Sequence, residues 1–294
     1  MRILMSGASG MLGSAIARAL EADGAVISRL VRGGEPASTA RIPWEPGKPL
    51  TLTSSFDAVI HLAGETVMGR WTAAKKARIR DSRVLGTRAL AEAVARLETN
   101  PQVFLAASAI GYYGDRGDEI LREDSPSGNG FLAEVCREWE AASNAAELAG
   151  IRVVHLRTGV VLGKQGGALG QMLLPFRMGV GGRLGSGRQW MSWIHIDDIV
   201  GSVRHILGNA ATRGPVNLVA PNPVTNAEFT RTLGRTLSRP AVLPVPAFAL
   251  RLAFGEMADE TLLASQRVEP GKLIANEYEF RFRNLEPALR DLFG

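Results

Sequence analysis

The first half of the chain alternates short apolar runs with longer stretches in which apolar residues recur every three or four positions. The apolar runs are predicted to be strands, namely Arg2–Ser6, Ala25–Arg32, Phe56–Leu62, Val103–Ala107 and Arg152–Leu156. Helices are predicted in the stretches between them, at Leu12–Leu20, Thr72–Glu98 and Asn129–Ala149. Such alternation predicts an α/β fold in which a doubly wound parallel sheet carries helices on both faces.

The character of the chain changes after Gly163. The next segment is dense in glycine and carries three arginines, Arg177, Arg183 and Arg188. The alternation then returns. An apolar run is predicted at Trp190–Ile196, helices are predicted at Asp197–Leu207 and Thr225–Leu237, and a short strand is predicted at Val216–Val219. The pattern predicts a first domain over residues 1–165 with a return segment at 190–222. A smaller, mostly helical substrate domain is predicted over residues 166–294.

Composition narrows the class of protein. Of 294 residues, 46% are hydrophobic and 21% are charged, as in ordinary globular proteins. The formal net charge of +5 is spread along the chain, so we expect no nucleic-acid partner.

A single cysteine, Cys136, excludes an internal disulfide framework and suits a reducing compartment. No apolar run is long enough to cross a bilayer, and glycines interrupt the N-terminal apolar stretch, so we expect a cytoplasmic protein without a membrane partner.

A glycine-rich turn follows the first predicted strand. Glycines at this place let the backbone approach a pyrophosphate, and the following helix directs its N–H groups at the same anion. Because the turn lies in the first strand–helix connection, it predicts a Rossmann-type dinucleotide site, although an ordinary tight turn is the alternative. The predicted contacts are Gly7, Ser9, Gly10, Met11, Leu12 and Gly13.

The end of the second strand indicates which dinucleotide is bound. NAD-binding proteins usually carry an acid there that holds the ribose 2′-hydroxyl. Residues Ile27–Gly34 contain no acid, and Arg32 stands where the 2′-phosphate of NADP would lie. Arginine can hold a phosphate with paired donors, so the sequence predicts NADP(H). Arg32 as a solvated surface residue is the alternative.

Further motifs follow in order along the chain. They are His61-Leu62-Ala63-Gly64, Ser82-Arg83-Val84-Leu85-Gly86-Thr87, Ser108 through Tyr113-Gly114, Arg157 through Gly163, and Trp193-Ile194-His195-Ile196-Asp197-Asp198. With the glycine turn, they resemble the extended short-chain dehydrogenase/reductase family, in its epimerase/dehydratase branch. More narrowly, they resemble an epimerase-like subgroup that has its own C-terminal domain of unknown function.

The resemblance implies which residues would line the cofactor site. By motif position, His61, Leu62, Ala63 and Gly64 would line it, and Val160 and Val161 would lie near the nicotinamide. Arg83 would face the cofactor, where it could meet a phosphate, although its helix is rich in basic residues that can form a solvated face. The resemblance also implies a small-molecule substrate and a homodimer that pairs through two long helices.

The chemistry departs from the family pattern. The family usually moves a proton with a Tyr-x-x-x-Lys pair, and none of the three tyrosines here has a lysine four residues later. Ser108, Tyr112 and Tyr113 are the catalytic candidates that remain, and Glu65 is a nearby carboxylate. For each hydroxyl, a hydrogen bond to nearby backbone explains the residue equally well.

The histidines show no metal-ligand spacing, so no metal is expected. His195 is expected to satisfy a hydrogen bond at a strand end, and Asp197 or Asp198 to cap the helix that follows.

Two functions remain open. The first is an NADP(H)-dependent oxidoreductase or epimerase-like enzyme that transfers hydride to or from an unknown, anionic substrate such as a nucleotide sugar. Arginines of the glycine-dense segment could hold that anion, or the segment could be a mobile loop. The second is a catalytically weak or inactive NADP(H)-binding sensor or partner-binding module, which the missing Tyr-x-x-x-Lys pair favours.

Overall fold

The structure is a computed structural model that describes residues 1–33, 38, 40–164 and 166–294. The last residue of the segment Ile27–Gly34 and residue 165, which ends the first predicted domain, lie outside these residues. Strands in the described chain are β1 Arg2–Ser6, β2 Val26–Val31, β3 Arg41–Pro43, β4 Ala58–His61, β5 Val103–Ala109, β6 Ile120–Leu121, β7 Arg152–Thr158, β8 Val160–Leu162, β9 Trp190–Met191, β10 Trp193–His195, β11 Gly214–Leu218, β12 Val224–Thr225 and β13 Arg267–Val268.

Helices cover both sides of the main sheet and are the main elements of the C-terminal third. They are α1 Met11–Ala22, α2 Ala73–Ala95, α3 Phe131–Ala141, α4 Asn144–Leu148, α5 Gly167–Arg177, α6 Ile196–Gly208, α7 Asn226–Thr236, α8 Ala247–Phe254, α9 Gly271–Ala275 and α10 Leu285–Phe293. Within the described residues, none of the helices is both long and apolar enough to cross a membrane.

Seven strands form one sheet in the order β11-β7-β5-β4-β1-β2-β3, and every neighbouring pair is parallel. The predicted parallel sheet is therefore confirmed. Strand order reverses at β1, which pairs with β2 on one side and with β4 on the other. Ligands of such sheets bind beyond the carboxyl ends of the strands at the reversal, so β1 and β4 mark the crevice.

Side chains of β1 alternate between two apolar layers. Ile3 and Met5 pack on one face with Ile16 of α1 and Val203 of α6. Leu4 packs on the other face in a separate cluster that includes residues of α2. All three β1 side chains are fully buried, because a sheet covered on both faces has no solvent side.

The predicted helix Asn129–Ala149 is two helices, α3 and α4. Ser143 lies between them and is fully buried. Its hydroxyl donates to the Glu140 carbonyl oxygen at 2.7 Å and lies 2.9 Å from Nε2 of His155. A serine that bonds locally to the backbone competes with helical hydrogen bonds, which explains the break.

The glycine-dense segment contains a helix that the sequence pattern did not predict. Helix α5 buries Leu169, Leu173 and Phe176, which recur at helical spacing. These side chains join Phe229 of α7 and Leu289 of α10 in one apolar cluster. The sequence pattern did not predict this helix, because glycines on both sides of it interrupt the apolar residues that recur at helical spacing.

The C-terminal residues contact the first part of the chain at several points. Strand β11 belongs to the main sheet, and β13 pairs with β6. The Glu260 carboxylate accepts from the backbone N–H groups of Phe131 and Leu132, at 2.8 and 2.7 Å, at the start of α3. The division into domains at residues 165 and 166 stays a prediction.

Helix α6 is capped by a histidine, and the expectation of an aspartate cap was wrong. Nδ1 of His195 accepts from the Asp197 N–H at 3.2 Å, which is a hydrogen bond at a strand end as predicted. The buried Asp198 carboxylate instead accepts from the N–H groups of Arg281 and Phe282, at 2.8 and 2.9 Å. Asp198 thereby holds the segment that leads into α10.

Candidate functional site

The glycine turn after β1 brings separate backbone segments into contact. Gly7 has a φ of +72°, in the region that favours glycine. A Cβ atom on Gly7 would lie 2.8 Å from the Ala63 nitrogen, and one on Gly13 would overlap the Gly7 carbonyl oxygen. The crevice floor therefore needs both glycines, because any side chain would separate α1, the turn and the segment after β4.

Helix α1 presents donors at this turn that no described side chain caps. Its N-cap is Gly10, and its first turn carries no acid. The N–H groups of Met11, Leu12 and Gly13 have no acceptor within the helix, and the positive end of the helix dipole adds to their attraction for an anion. Ser9 is exposed beside them. Backbone donors and close-packed glycines fit a pyrophosphate.

A buried hydrogen bond links the ends of β1 and β4. Ser6 Oγ accepts from the N–H groups of Leu62 and Ala63, at 3.2 and 3.3 Å, and lies 2.6 Å from Nδ1 of His61. The hydroxyl therefore donates to Nδ1, which leaves the proton of the neutral ring on Nε2. Burial lowers the pKa of His61 to about 4, so the ring stays neutral at neutral pH. The buried His61 ring therefore supports the backbone that lines the crevice.

The second strand ends beside a group of basic residues around Glu65. Nζ of Lys75 lies 2.7 Å from the Glu65 carboxylate, and Nε of Arg78 lies 3.9 Å from it. The Lys75 hydrogen bond, with the charges of Arg78 and Arg32, lowers the pKa of the Glu65 carboxyl. The exposed Arg32 thus lies within electrostatic reach of this group. Lys75 and Arg78 share a helix face by their three-residue spacing, and that spacing is the signal that could have identified them.

The Arg83 guanidinium packs against Gly64. A Cβ atom on Gly64 would lie 3.4 Å from the Arg83 guanidinium carbon. One guanidinium nitrogen of Arg83, Nη1, donates to the carbonyl oxygens of both Glu65 and Ile79, at 2.9 and 3.0 Å. The guanidinium also stacks on the ring of Trp139. Arg83 therefore holds the segment after β4 on α2, next to the crevice.

Val160 and Val161 lie on β8, which contacts the glycine turn through Met11. Val161 joins the apolar cluster against which Met11 packs. The Met11 side chain also approaches Gly163, where a Cβ atom would lie 3.2 Å from its sulfur. Met11 thereby connects the glycine turn with the end of β8.

A charged network links the carboxyl ends of β5 and β7. Arg157 donates two hydrogen bonds to the Glu140 carboxylate, at 2.8 and 2.9 Å, and Ser108 Oγ donates to the same carboxylate at 2.7 Å. Burial raises the pKa of Glu140, but the hydrogen bonds from Arg157 outweigh that effect and the net shift is downward. The candidate hydroxyl of Ser108 is therefore already held by an ionised carboxylate.

The two adjacent tyrosines have different surroundings. Tyr113 is fully buried, donates to the Asn217 side chain at 2.7 Å and accepts from Arg157 at 3.0 Å. Burial raises the pKa of Tyr113 to about 12. Tyr112 is partly exposed, and the Arg157 guanidinium stacks on its ring at 3.5 Å from the centroid. Among the described residues, the Tyr112 hydroxyl has no hydrogen-bond partner, so it alone of the three candidates is available to a ligand.

Comparison with known proteins agrees with this architecture. A sequence model described as "NAD dependent epimerase/dehydratase family" matches residues 3–218, and a domain of unknown function (DUF1731) matches residues 245–292. The first match covers more than half of the chain. The chain belongs to the NAD dependent epimerase/dehydratase family.

Several proteins are similar over all or nearly all of this chain. An epimerase family protein of Mycobacterium leprae is 41% identical over 98% of this chain and 94% of its own. The crystal structure of human epimerase family protein SDR39U1 with NADPH has a TM-score of 0.91 and 36% identity, and 99% of each chain is covered. A nucleoside-diphosphate sugar epimerase structure from Corynebacterium glutamicum has a TM-score of 0.83 and 39% identity, over all of this chain and 58% of that one. The predicted Rossmann-type fold is confirmed.

This epimerase/dehydratase family member carries apolar side chains where the Tyr–Lys pair would stand. On α3 the corresponding positions hold Phe131 or Leu132 and Val135 or Cys136. Burial raises the pKa of the Cys136 thiol to about 12, so the thiol is neutral and chemically quiet. Helix α3 therefore supplies no proton-transfer group to the crevice through these four positions.

One group of described residues has the donor types of a metal site. His195, Asp197 and Asp291 bring their donor atoms within 4.8 Å of one another. Arg281 forms ion pairs with both aspartates, so a guanidinium already supplies the positive charge between them. This group in the epimerase/dehydratase chain ties α10 to the start of α6.

Proposed function

We propose that the chain binds NADP(H) across the carboxyl ends of β1 and β4. The observation that carries the proposal is the close-packed glycine turn below the uncapped start of α1. Gly7 and Gly13 leave no room for a side chain, and the first-turn N–H groups are free for a pyrophosphate. The solved structure of human SDR39U1 with NADPH, 36% identical, supports the same cofactor here.

The basic group at the end of β2 supports NADP(H) over NAD(H). Arg32 is exposed, and Lys75 and Arg78 lie 2.7 and 3.9 Å from the Glu65 carboxylate. Among the described residues, these three cations stand against one carboxylate, which leaves an excess of positive charge for a 2′-phosphate. A hydrogen bond from arginine to a charged group contributes about 1.5–3 kcal/mol, which corresponds to a preference of tenfold or more.

The reaction we propose is hydride transfer between the nicotinamide and a small-molecule substrate. The cofactor, when bound, supplies the hydride chemistry. Tyr112 would move the accompanying proton, because its hydroxyl is the candidate left without an internal partner in the described chain. We propose an anionic substrate such as a nucleotide sugar, which the 39% identity to the structure described as a nucleoside-diphosphate sugar epimerase supports. By resemblance we also propose a homodimer, which sedimentation velocity tests.

A specific observation favours the second function, a sensor or partner-binding module with little or no turnover. The hydroxyls of Ser108 and Tyr113 are both engaged inside the protein. The four positions of α3 that correspond to the Tyr–Lys pair offer only apolar groups and a buried thiol. If Tyr112 cannot act alone, the crevice would hold the cofactor without transferring hydride.

The cofactor proposal is tested by fluorescence titration with NADPH and NADH. The wild-type protein is expected to bind NADPH at least tenfold more tightly, and Arg32→Asp is expected to remove that preference. Arg29→Gln is the matched control, because Arg29 lies on β2, three residues before Arg32, but forms an ion pair with Glu21. Equal affinity for both dinucleotides in the wild type would overturn the NADP(H) assignment.

A second experiment separates the two functions. Carbonyl compounds and nucleotide sugars are added to the protein with NADPH, and oxidation is followed at the nicotinamide absorbance. Turnover with any of them supports the enzyme. Tight NADPH binding without turnover across the panel supports the sensor.

A further inference from the structure

A groove on the C-terminal part of the molecule is lined by four arginines. It runs between α7 and the segment 238–244, and encloses about 660 Å³. A volume of this size accommodates a ligand as large as a nucleotide. The polar residues that line this C-terminal groove are Arg183, Arg231, Arg235, Arg239, Ser238 and Thr230.

The positive charge of the groove is poorly compensated. Among the described residues, the side chains of Arg183 and Arg231 form no hydrogen bond or ion pair. Arg235 lies 3.9 Å from Glu286, which is bonded more closely to Arg290 at 2.6 Å. No acidic residue in the described part of the chain lines the groove. Like charges gathered in a concave surface raise the local concentration of anions.

A buried hydroxyl gives a second, independent indication of a ligand. Thr230 lies on α7, lines the groove and is 3% exposed. Its Oγ1 has no hydrogen-bond partner in the described chain. A buried hydroxyl without a partner destabilises the fold, and an acceptor atom on a ligand would remove that defect.

The remaining wall of the groove is apolar and closely packed. A Cβ atom on Gly234 would lie 2.7 Å from Cβ of Ala241, so this glycine lets the segment 238–244 approach α7. Pro240, Ala241 and Val242 line this side, and Val242 is 76% exposed. The groove thus combines an arginine-lined wall with an apolar wall.

The C-terminal groove is separate from the cofactor crevice. Its lining comes from α7, from the segment 238–244 and from Arg183, and no described residue of the loops after β1, β2 or β4 contributes to it. Of the arginines in the glycine-dense segment, only Arg183 lines it; Arg177 offers its carbonyl oxygen to Arg239 at 3.2 Å. Occupation of the groove therefore does not depend on dinucleotide binding.

We propose that the C-terminal groove binds a soluble phosphorylated small molecule of the nucleoside diphosphate class. The arginines hold the phosphates, since guanidinium groups match phosphate oxygens with paired donors. Thr230 donates to a phosphate oxygen, and the base or another flat apolar group lies against Pro240–Val242.

The test is calorimetric titration of the full chain with UDP and with inorganic pyrophosphate. Both are expected to bind, and Arg231→Gln is expected to weaken UDP binding at least tenfold, because a charge-assisted hydrogen bond is lost. Arg18→Gln, an exposed arginine on α1, is the matched control. The titration is repeated with excess NADPH. Persistence of UDP binding supports a separate site whether or not NADPH itself binds, and displacement by NADPH would overturn it.

Thr230→Val provides a readout that a purely structural residue would not give. Removal of an unpartnered buried hydroxyl is expected to leave the melting temperature unchanged or raise it, while UDP binding weakens several-fold. The proposal is overturned if neither probe binds at millimolar concentration, or if Arg231→Gln and Thr230→Val leave UDP affinity unchanged. Binding to phosphatidylglycerol vesicles without binding of UDP or pyrophosphate would also overturn it, since a lipid surface would then be the occupant.

Discussion

At the scale of single residues, neighbouring tyrosines of the same motif have separate physical roles. Tyr113 is locked between Asn217 and Arg157 in the core, whereas Tyr112 lies under the Arg157 guanidinium with its hydroxyl unpaired among the described residues. Both side chains touch the same arginine. The difference in burial, which adjacent positions in the sequence do not reveal, decides which hydroxyl can reach a substrate.

This contrast predicts opposite phenotypes for two conservative substitutions. Tyr112→Phe is expected to lower kcat at least 100-fold, as removal of a proton-transfer group does, with stability nearly unchanged. Tyr113→Phe is expected to lower the free energy of unfolding by about 2 kcal/mol, because two buried hydrogen bonds are lost. Urea denaturation and NADPH turnover measure the two effects. A fully active Tyr112→Phe protein would contradict the assignment of Tyr112.

His61 predicts how stability depends on pH. Burial lowers its folded-state pKa to about 4, below the unfolded value of about 6.5. Its contribution is therefore fully present above pH 6.5 and is lost as the pH falls toward 4, since the unfolded chain then binds the proton more readily. The full shift corresponds to about 3 kcal/mol.

The His61 effect is measured by urea denaturation between pH 7 and pH 4.5. His61→Asn keeps a side-chain acceptor for Ser6 but removes the titrating ring, so its stability should fall less steeply over this range. Burial also lowers the pKa of His155 and of His195, and these residues leave a residual slope in the variant. Identical slopes for variant and wild type would show that His61 does not titrate as its burial requires.

At the scale of elements, the position of α1 depends on two glycines with unequal space around them. A Cβ atom on Gly13 would overlap the Gly7 carbonyl oxygen, whereas one on Gly10 would lie 3.4 Å from the same atom. Gly13→Ala is therefore expected to push α1 off the turn and to lower the free energy of unfolding by about 2–3 kcal/mol. Gly10→Ala, whose φ of −74° suits alanine, is the control for folding. Thermal unfolding of both proteins measures the difference, and equal stabilities would contradict the packing argument.

Helix ends show that a capping group can be adjacent or distant in sequence. The start of α3 is capped by Glu260, which lies 129 residues beyond Phe131, whereas the start of α6 is capped by the ring of the adjacent His195. The sequence predicted an aspartate cap for α6 because aspartate is a common N-cap residue. Asp198 is instead buried and accepts from the backbone of Arg281 and Phe282. A local rule cannot detect a cap or an anchor that another segment supplies or requires.

At the scale of the whole molecule, the C-terminal residues and the main sheet should unfold together. Strand β11 joins the sheet, and Glu260 caps α3. Saturation with NADPH at 100 times its Kd should stabilise the folded chain by about 2.7 kcal/mol. We expect one cooperative transition that moves upward by about 5 °C or more, and a smaller shift with NADH. Calorimetry checks this, and two transitions of which only one moves with NADPH would contradict the coupling.

The sequence alone determined the main sheet, the placement of the glycine turn and the family resemblance. Apolar periodicity reports local burial, and the turn glycines are specified by the backbone geometry that they must adopt. Only the tertiary structure decided that Ser108 and Arg157 meet on Glu140, that Lys75 and Arg78 gather at Glu65, and that four arginines line one groove. These groups come from separate elements, so their contacts depend on how helices and strands pack, which no local pattern of residues records.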